Sequence, residues 1–251
     1  MSGRGPAWRR QVLRLLGLLA LSFLSLQLFF AARIALMAVV DPQSTSFQRS
    51  EAWRLLVEKR RLDWSQDWVG YPTLSTSLKR AVIASEDAGF ADHRGIDWDS
   101  IEKAWARNQQ AQARAERVEK RQPGRMVAPR LRGGSTITQQ LAKNLFLSGE
   151  RTVPRKAQEF VLTLMIEGLL SKQRILEIYL NNVEWGEGLF GAQAAARHYF
   201  RIDAARLGTD QAARLAVMLP APKRFEKQPG SGYILGRAAV ISARMAAVEV
   251  P

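Results

Sequence analysis

Between Arg14 and Arg33 runs an uncharged stretch, Leu15 to Ala32, rich in Leu and Phe. As a helix these residues rise about 27 Å, close to the ~30 Å of a bilayer's hydrocarbon. The apolar run resumes from Ile34 to Val40, and Arg33 is placed to snorkel toward the interface. Arg4, Arg9, Arg10, Arg14 and Arg33 precede the first acid, Asp41. We read one transmembrane helix with its arginine-rich end in the cytoplasm by the positive-inside rule, and the body beyond the membrane. A cleaved signal peptide is the competing reading, with Leu36-Met37-Ala38 as a poor cleavage site, but the run is long for a signal's apolar region. A buried soluble helix would carry a polar face, which this run lacks.

The formal net charge is +14, of which the first 40 residues supply +5. That excess favours anionic partners: nucleic acid, an acidic membrane surface or a phosphorylated substrate. There is no cysteine, which excludes disulfides, a thiolate nucleophile and thiolate metal sites. With only two histidines, His93 and His198, a multi-histidine metal centre is excluded as well. Apolar residues make up 47%, enough for a packed core.

Helical spacing dominates the remainder and alternating strand patterns are nearly absent, so the body is predicted to be mostly α. Expected helices cover 51–59, a stretch from Leu74, 98–115, 135–147, 154–171, 172–182, an alanine-rich segment to Tyr199, 210–218 and 233–247. The polar, basic stretch from Arg107 to Arg132 contains Pro123, Gly124 and Pro129. It reads as a solvated loop or as a basic flap facing phosphates or lipid headgroups. Trp53, Trp64 and Trp68 suit either a lipid interface or a core.

Three segments carry chemistry. In SEDAGFADHRGID (Ser85 to Asp97), Glu86 and Asp87 end an apolar helix. A carboxylate beside apolar surface is destabilised as an anion and can be tuned as a general acid or base; ordinary helix-end acids are the plainer reading. In RGGSTITQQLAKNLFL (Arg132 to Leu147), Gly133 and Gly134 would allow close backbone approach to a ligand. Ser135 or Thr136 can cap the following helix, and Gln140 and Lys143 fall near Thr136 on one face. The lysine spacing is not that of a Walker A loop. In the third segment, Arg155, Lys156 and Glu159 lie within one turn. Two cations would hold the acid ionised and could grip a diphosphate, unless Lys156 and Glu159 are simply an i,i+3 surface pair. Glu177 reads as an outward acid, and Glu167 is left open.

Five blocks, SEDAGFADHRGID, RGGSTITQQLAKNLF, RKAQE, SKQRILEIYLN and GEGLFGAQAAARHYF, occur in this order between Ser85 and Phe200, with LAVMLPAPKRF extending the signal to Phe225. Their order and content resemble the peptidoglycan glycosyltransferases, which polymerise lipid II. With no transpeptidase segment before Pro251, the likeness is to the monofunctional biosynthetic form, with an N-terminal anchor in the cell inner membrane and a periplasmic body. The resemblance implies a lysozyme-like fold with a membrane-proximal lobe. It divides the chain into a tail (1–14), anchor (15–40), connector (41–72) and glycosyltransferase domain (73–251).

Residue by residue, the resemblance implies Glu86 as the general base on the acceptor 4-hydroxyl and Glu159 as a second essential carboxylate. Asp87 and His93 would support the first motif. Ser135, Thr136, Gln139, Gln140, Lys143 and Asn144 would match the second, with Lys143 on the donor's pyrophosphate. Arg151, Arg155 and Lys156 would bind phosphate, and Lys172, Glu177, Tyr179 and Asn181 would match a structural motif. The partners implied are lipid II, the growing glycan chain on undecaprenyl diphosphate, the membrane and cell-wall synthesis proteins, without nucleic acid. No cofactor is demanded, although a divalent cation (Mg or Mn) near Glu159 is compatible with the chemistry. The one departure is the length from Asn108 to Leu131, longer than the family's usual link. A peptidoglycan-cleaving enzyme with the same fold is the principal competitor, and a membrane-tethered basic binding module is the other. Only the polymerase needs a diphosphate grip, so Lys143, Arg151 and Lys156 discriminate.

Overall fold

The structure is a computed structural model that describes residues 7–122, 134–150 and 152–251. In chain order its helices are α1 (Ala7–Leu36), α2 (Ser46–Arg54, continued by a π turn, Leu55–Lys59), α3 (Thr76–Glu86), α4 (Trp98–Arg121), α5 (Ile137–Phe146), α6 (Val153–Leu169) and α7 (Lys172–Asn182). After a hairpin come α8 (Ala192–Phe200), α9 (Thr209–Met218), the short α10 (Pro222–Phe225) and α11 (Gly232–Arg244). Three very short strands, β1 (Ser65–Gln66), β2 (Glu184–Gly186) and β3 (Leu189–Phe190), form a sheet in the order β1-β3-β2. β1 runs parallel to β3, and β2 runs antiparallel to it. The body is mostly α, as the helical spacing predicts.

Helix starts follow the capping chemistry. Thr136 caps α5 and forms a capping box with Gln139, Thr152 caps α6 with Pro154 in its first turn, and Ser171 caps α7. Along α5, Ile137, Leu141, Ala142 and Leu145 are buried, so Gln140 and Lys143 are left on a different face. Two groups of helices enclose the core: α9 packs on α3 and α11, while α5 packs on α2, α6 and α7. The end of α3, the start of α5 and the first half of α6 therefore meet where these groups adjoin.

α4 runs past the expected end at 115 to Arg121, so the first half of the basic stretch from Arg107, read as a loop or flap, is helical. Gln, Ala and Arg have good helix propensity, but the stretch lacks the apolar periodicity that would have revealed a helix. The rest of that loop reading, 123–132, lies outside the described residues. Of the three tryptophans, Trp53 is exposed, Trp64 stacks on Phe190 at 4.5 Å between centroids, and Trp68 packs against the core.

α1 is long and apolar enough to cross a membrane by length and composition, and its end is tied to the body. Gln27 and Gln158 of α6 exchange two hydrogen bonds, at 3.1 and 3.0 Å. Phe30 packs edge-on against Phe146 of α5, and Arg33 lies over the Phe146 ring. Below the helix end, Arg174 donates to the Met37 carbonyl and pairs with Asp41. The C-terminal half of α1 is thus docked on α5, α6 and the start of α7.

A charged cluster sits beside the sheet. Lys223 pairs with Glu51 at 2.6 Å and with buried Glu184 at 3.3 Å, while Arg54 holds Glu51 and Glu187. Burial pushes Glu184 up to about 7 despite Lys223. Burial alone would also raise Glu51, but hydrogen bonds from Arg54 and Lys223 outweigh it and lower its pKa. Because the folded pKa of Glu184 is above its unfolded value, its contribution is full below the ordinary glutamate range and is lost as pH rises through about 7. The expected cost is up to about 3 kcal/mol at pH 8. Melting in detergent should show a midpoint falling by several degrees between pH 5 and 8 in the native protein, and a flatter profile in Glu184→Gln.

Candidate active site

α3 ends at Glu86, and the next residue, Asp87, leaves the helix with an extended φ. Asp87 is buried and works in two directions: its Oδ2 accepts from the Ile137 N–H at 3.0 Å, and its Oδ1 accepts from His93 Nε2 at 2.8 Å. The Gly95 N–H donates to His93 Nδ1, which leaves Nε2–H as the donor to Asp87. The carboxylate therefore sits at the N-terminus of α5, where a negative charge is favoured, and pins that helix to the end of α3. Thr136 Oγ1 donates to the Gly95 carbonyl and completes the junction. Gly95 adopts φ +82°, and a Cβ there would come within 2.7 Å of Thr163 and Glu167 of α6, so the turn fits only glycine. Asp87→Asn would place an amide against groups that need an acceptor. It is expected to cost about 1.5–3 kcal/mol, read as a lowered melting midpoint, and to reduce activity by shifting α5.

Glu86 is partly buried at the floor of a cavity of about 350 Å³, lined also by Asp87, Ser135, Thr136, Ser100 and Arg107. Burial raises its pKa; the adjacent Asp87 charge adds to this, and a hydrogen bond from Gln140 opposes it. Gln140 Nε2 donates to Glu86 Oε2 at 2.9 Å, and Tyr179 Oη donates to Gln140 Oε1 at 3.0 Å. Tyr179 is wholly buried and its phenol is pushed well above the usual range, so it stays a donor and fixes the amide orientation. The sequence placed Tyr179 only in a structural motif; its link to Glu86 crosses from α7 to α3 and leaves no local signal.

A second cavity, of about 200 Å³, is lined by Ser135, Gln139, Gln140, Lys143, Arg155, Lys156 and Glu159. It shares Ser135 with the first, and Gln140 lines it while bonding Glu86. Glu159 is buried, with Oε2 accepting from Arg155 at 2.9 Å and Oε1 bonded to Lys156. The i,i+3 pair is therefore formed, but its carboxylate faces a cavity rather than solvent. Arg155 Nε is buried and makes no hydrogen bond. Both Glu159 oxygens are taken by cations and, among the described residues, no second carboxylate lines this cavity, so this donor set does not suit a divalent cation. Asp87, His93 and Asp97 come within metal-binding reach of one another, but Asp87 and His93 are spent on the contacts above and Asp97 caps α4.

The remaining expectations sort as follows. Thr136 and Gln139 spend polar atoms on the start of α5, and Asn144 lines neither cavity. Arg151 and Gly133 lie outside the described residues. Gly134 lines the Glu86 cavity and packs closely on the α4 backbone, where an added Cβ would lie 3.3 Å from Ile101 Cα. Glu177 is not the outward acid read from the sequence: it is mostly buried and pairs with Arg174 at 3.1 Å. Glu167, left open, accepts from Thr138 and Lys172 and ties α6 to α5 and α7.

A partly buried carboxylate beside a cation-lined hollow suits proton transfer next to a bound anion, the equipment of an enzyme's site. The chain belongs to the transglycosylase family, whose model matches residues 55–246. It is similar to proteins named biosynthetic peptidoglycan transglycosylase. That of Burkholderia pseudomallei is 50% identical over 99% of this chain and 93% of the relative. Those of Burkholderia lata and Paraburkholderia phytofirmans are 52% and 47% identical, covering 92% and 100% of this chain and 87% and 97% of the relatives.

Proposed function

We propose that this chain is a peptidoglycan glycosyltransferase that polymerises lipid II into β-1,4 glycan strands. The observation that carries the reading is the pairing of two adjoining hollows: one holds Glu86 with its pKa raised, the other holds Lys143, Arg155 and Lys156 around Glu159. Glu86 takes the proton from the acceptor 4-hydroxyl as its oxygen attacks C1 of the donor sugar. The C1–O bond to the α-linked diphosphate breaks on the opposite face, so the configuration inverts. The departing diphosphate needs charge neutralisation, supplied by Lys143, Lys156 and the Arg155 guanidinium that line the second cavity. Glu159 holds the two α6 cations in place. Gln140 keeps Glu86 oriented, and its other end is fixed by Tyr179.

We place α1 across the cell inner membrane as a single-pass anchor with the body in the periplasm. Its docking by Gln27 on α6 holds the cationic hollow close to the bilayer, where a polyprenyl-linked substrate presents its diphosphate. Residues 1–14 are then the cytoplasmic tail, and the unit beyond the connector is the glycosyltransferase domain. A wall-cleaving enzyme would need the carboxylate but not three cations around the adjoining hollow. Purified protein in detergent should convert lipid II to polymer and leave isolated sacculi intact. Release of fragments from sacculi without polymerisation would reverse the assignment.

A further inference from the structure

α4 is longer than its packing requires. Of its residues, Trp98 to Arg121, only Ala104 is buried. At ~100° per residue, Lys103, Arg107, Gln110, Arg114, Arg117 and Arg121 fall within an arc of about 80°. Of the acids on α4, Glu102, Glu116 and Glu119 fall outside that arc, and Asp99 lies at its edge in the first turn, before the arginines begin. All five cations are exposed, and among the described residues none pairs with a carboxylate within 4 Å. The stripe meets the Glu86 cavity at Arg107, which lines it. From there Arg114 and Arg121 lie ~10 and ~21 Å farther along the axis.

Direction decides what this surface meets. The exposed apolar side chains of α4, Trp98 and Trp105, lie roughly opposite the stripe, and Trp98 contacts Phe160 of α6. Phe160, Leu164 and Val153 share one side of α6 by helical spacing and are exposed, so Trp98 extends an apolar side of α6. A face of this kind suits lipid, which turns the cations away from the bilayer. The ligand of the stripe must then be anionic, repeat along a line and emerge from the Glu86 cavity.

We propose that the basic stripe of α4 binds the carboxylates of the stem peptides carried by the glycan strand occupying that cavity. This rests on the polymerase reading above. Each exposed arginine–carboxylate pair is weak, so the effect is one of several small terms that set substrate affinity rather than bond-making.

The test compares lipid II with free stem carboxylates against lipid II with those carboxylates converted to amides. Native protein is expected to show a KM roughly five- to tenfold lower for the free-acid substrate at low salt, with similar kcat, and to lose the difference as salt screens it. R114Q/R117Q/R121Q keeps helix propensity; it should treat both substrates like the amidated one, while R114K/R117K/R121K retains the preference. Circular dichroism checks that the helix persists in both. The proposal is overturned if the Gln variant still prefers the free acid, if native protein never does, or if the variant's defect is loss of binding to anionic vesicles with the preference intact. A native protein that polymerises neither substrate would instead overturn the polymerase assignment on which this rests.

Discussion

Glu86→Gln should leave a folded protein that binds lipid II and makes almost no polymer. The substitution keeps the shape and an acceptor oxygen but removes the proton sink. A positioned general base contributes about 10²–10⁴ in rate, and no neighbour can replace it: Asp87 is spent on Ile137 and His93, and Glu159 is neutralised by two cations. We expect a loss of at least about 10³ in kcat with KM changed little, measured by polymer formation from labelled lipid II. The melting midpoint should hold or rise, because a carboxylate whose pKa is raised by burial is disfavoured as an anion in the fold. An active Glu86→Gln enzyme would remove the residue from the mechanism.

Glu159→Gln should fail differently. Its carboxylate is buried and anchors Arg155, itself mostly buried, and Lys156, which is half exposed. Removing the charge leaves Arg155 without a counter-ion at the wall of the cationic hollow. Breaking such a buried pair costs about 3–5 kcal/mol, less here because Lys156 can turn to solvent. The same change releases the two cations from the geometry that meets the diphosphate, a loss of about 10²–10³ in kcat/KM. Two readouts separate the effects: thermal unfolding follows the packing loss, and undecaprenyl diphosphate inhibition follows the grip. Glu159→Gln should weaken that inhibition, whereas Glu86→Gln should leave it unchanged.

Much of this site was legible in the chain because its parts lie on short, locally specified elements. Thr136, Thr152 and Ser171 mark three helix starts by side-chain chemistry, and the spacing of Arg155, Lys156 and Glu159 places them within one turn. Contacts between distant segments were not legible. Tyr179 and Gln140 meet across 39 positions, Gln27 and Gln158 across 131, and Ser65 pairs with Leu189 in strands of only two residues. No periodicity announces such pairings. α4 was read too short because its distal turns bury almost nothing, so nothing in the apolar pattern outlined them. Glu177 was misplaced for the opposite reason: α7 is buried on nearly every side, and Arg174 covers the acid that would otherwise face water.

The most direct test is the pH dependence of kcat/KM for lipid II polymerisation. Glu86 must be ionised to act, and burial raises its pKa above the ordinary glutamate range. Activity should rise about tenfold per pH unit on the acid side, with a midpoint above 4.5, and this limb should vanish from the residual activity of Glu86→Gln. An acid limb that persists unchanged in Glu86→Gln, or a native profile with none, would contradict the account.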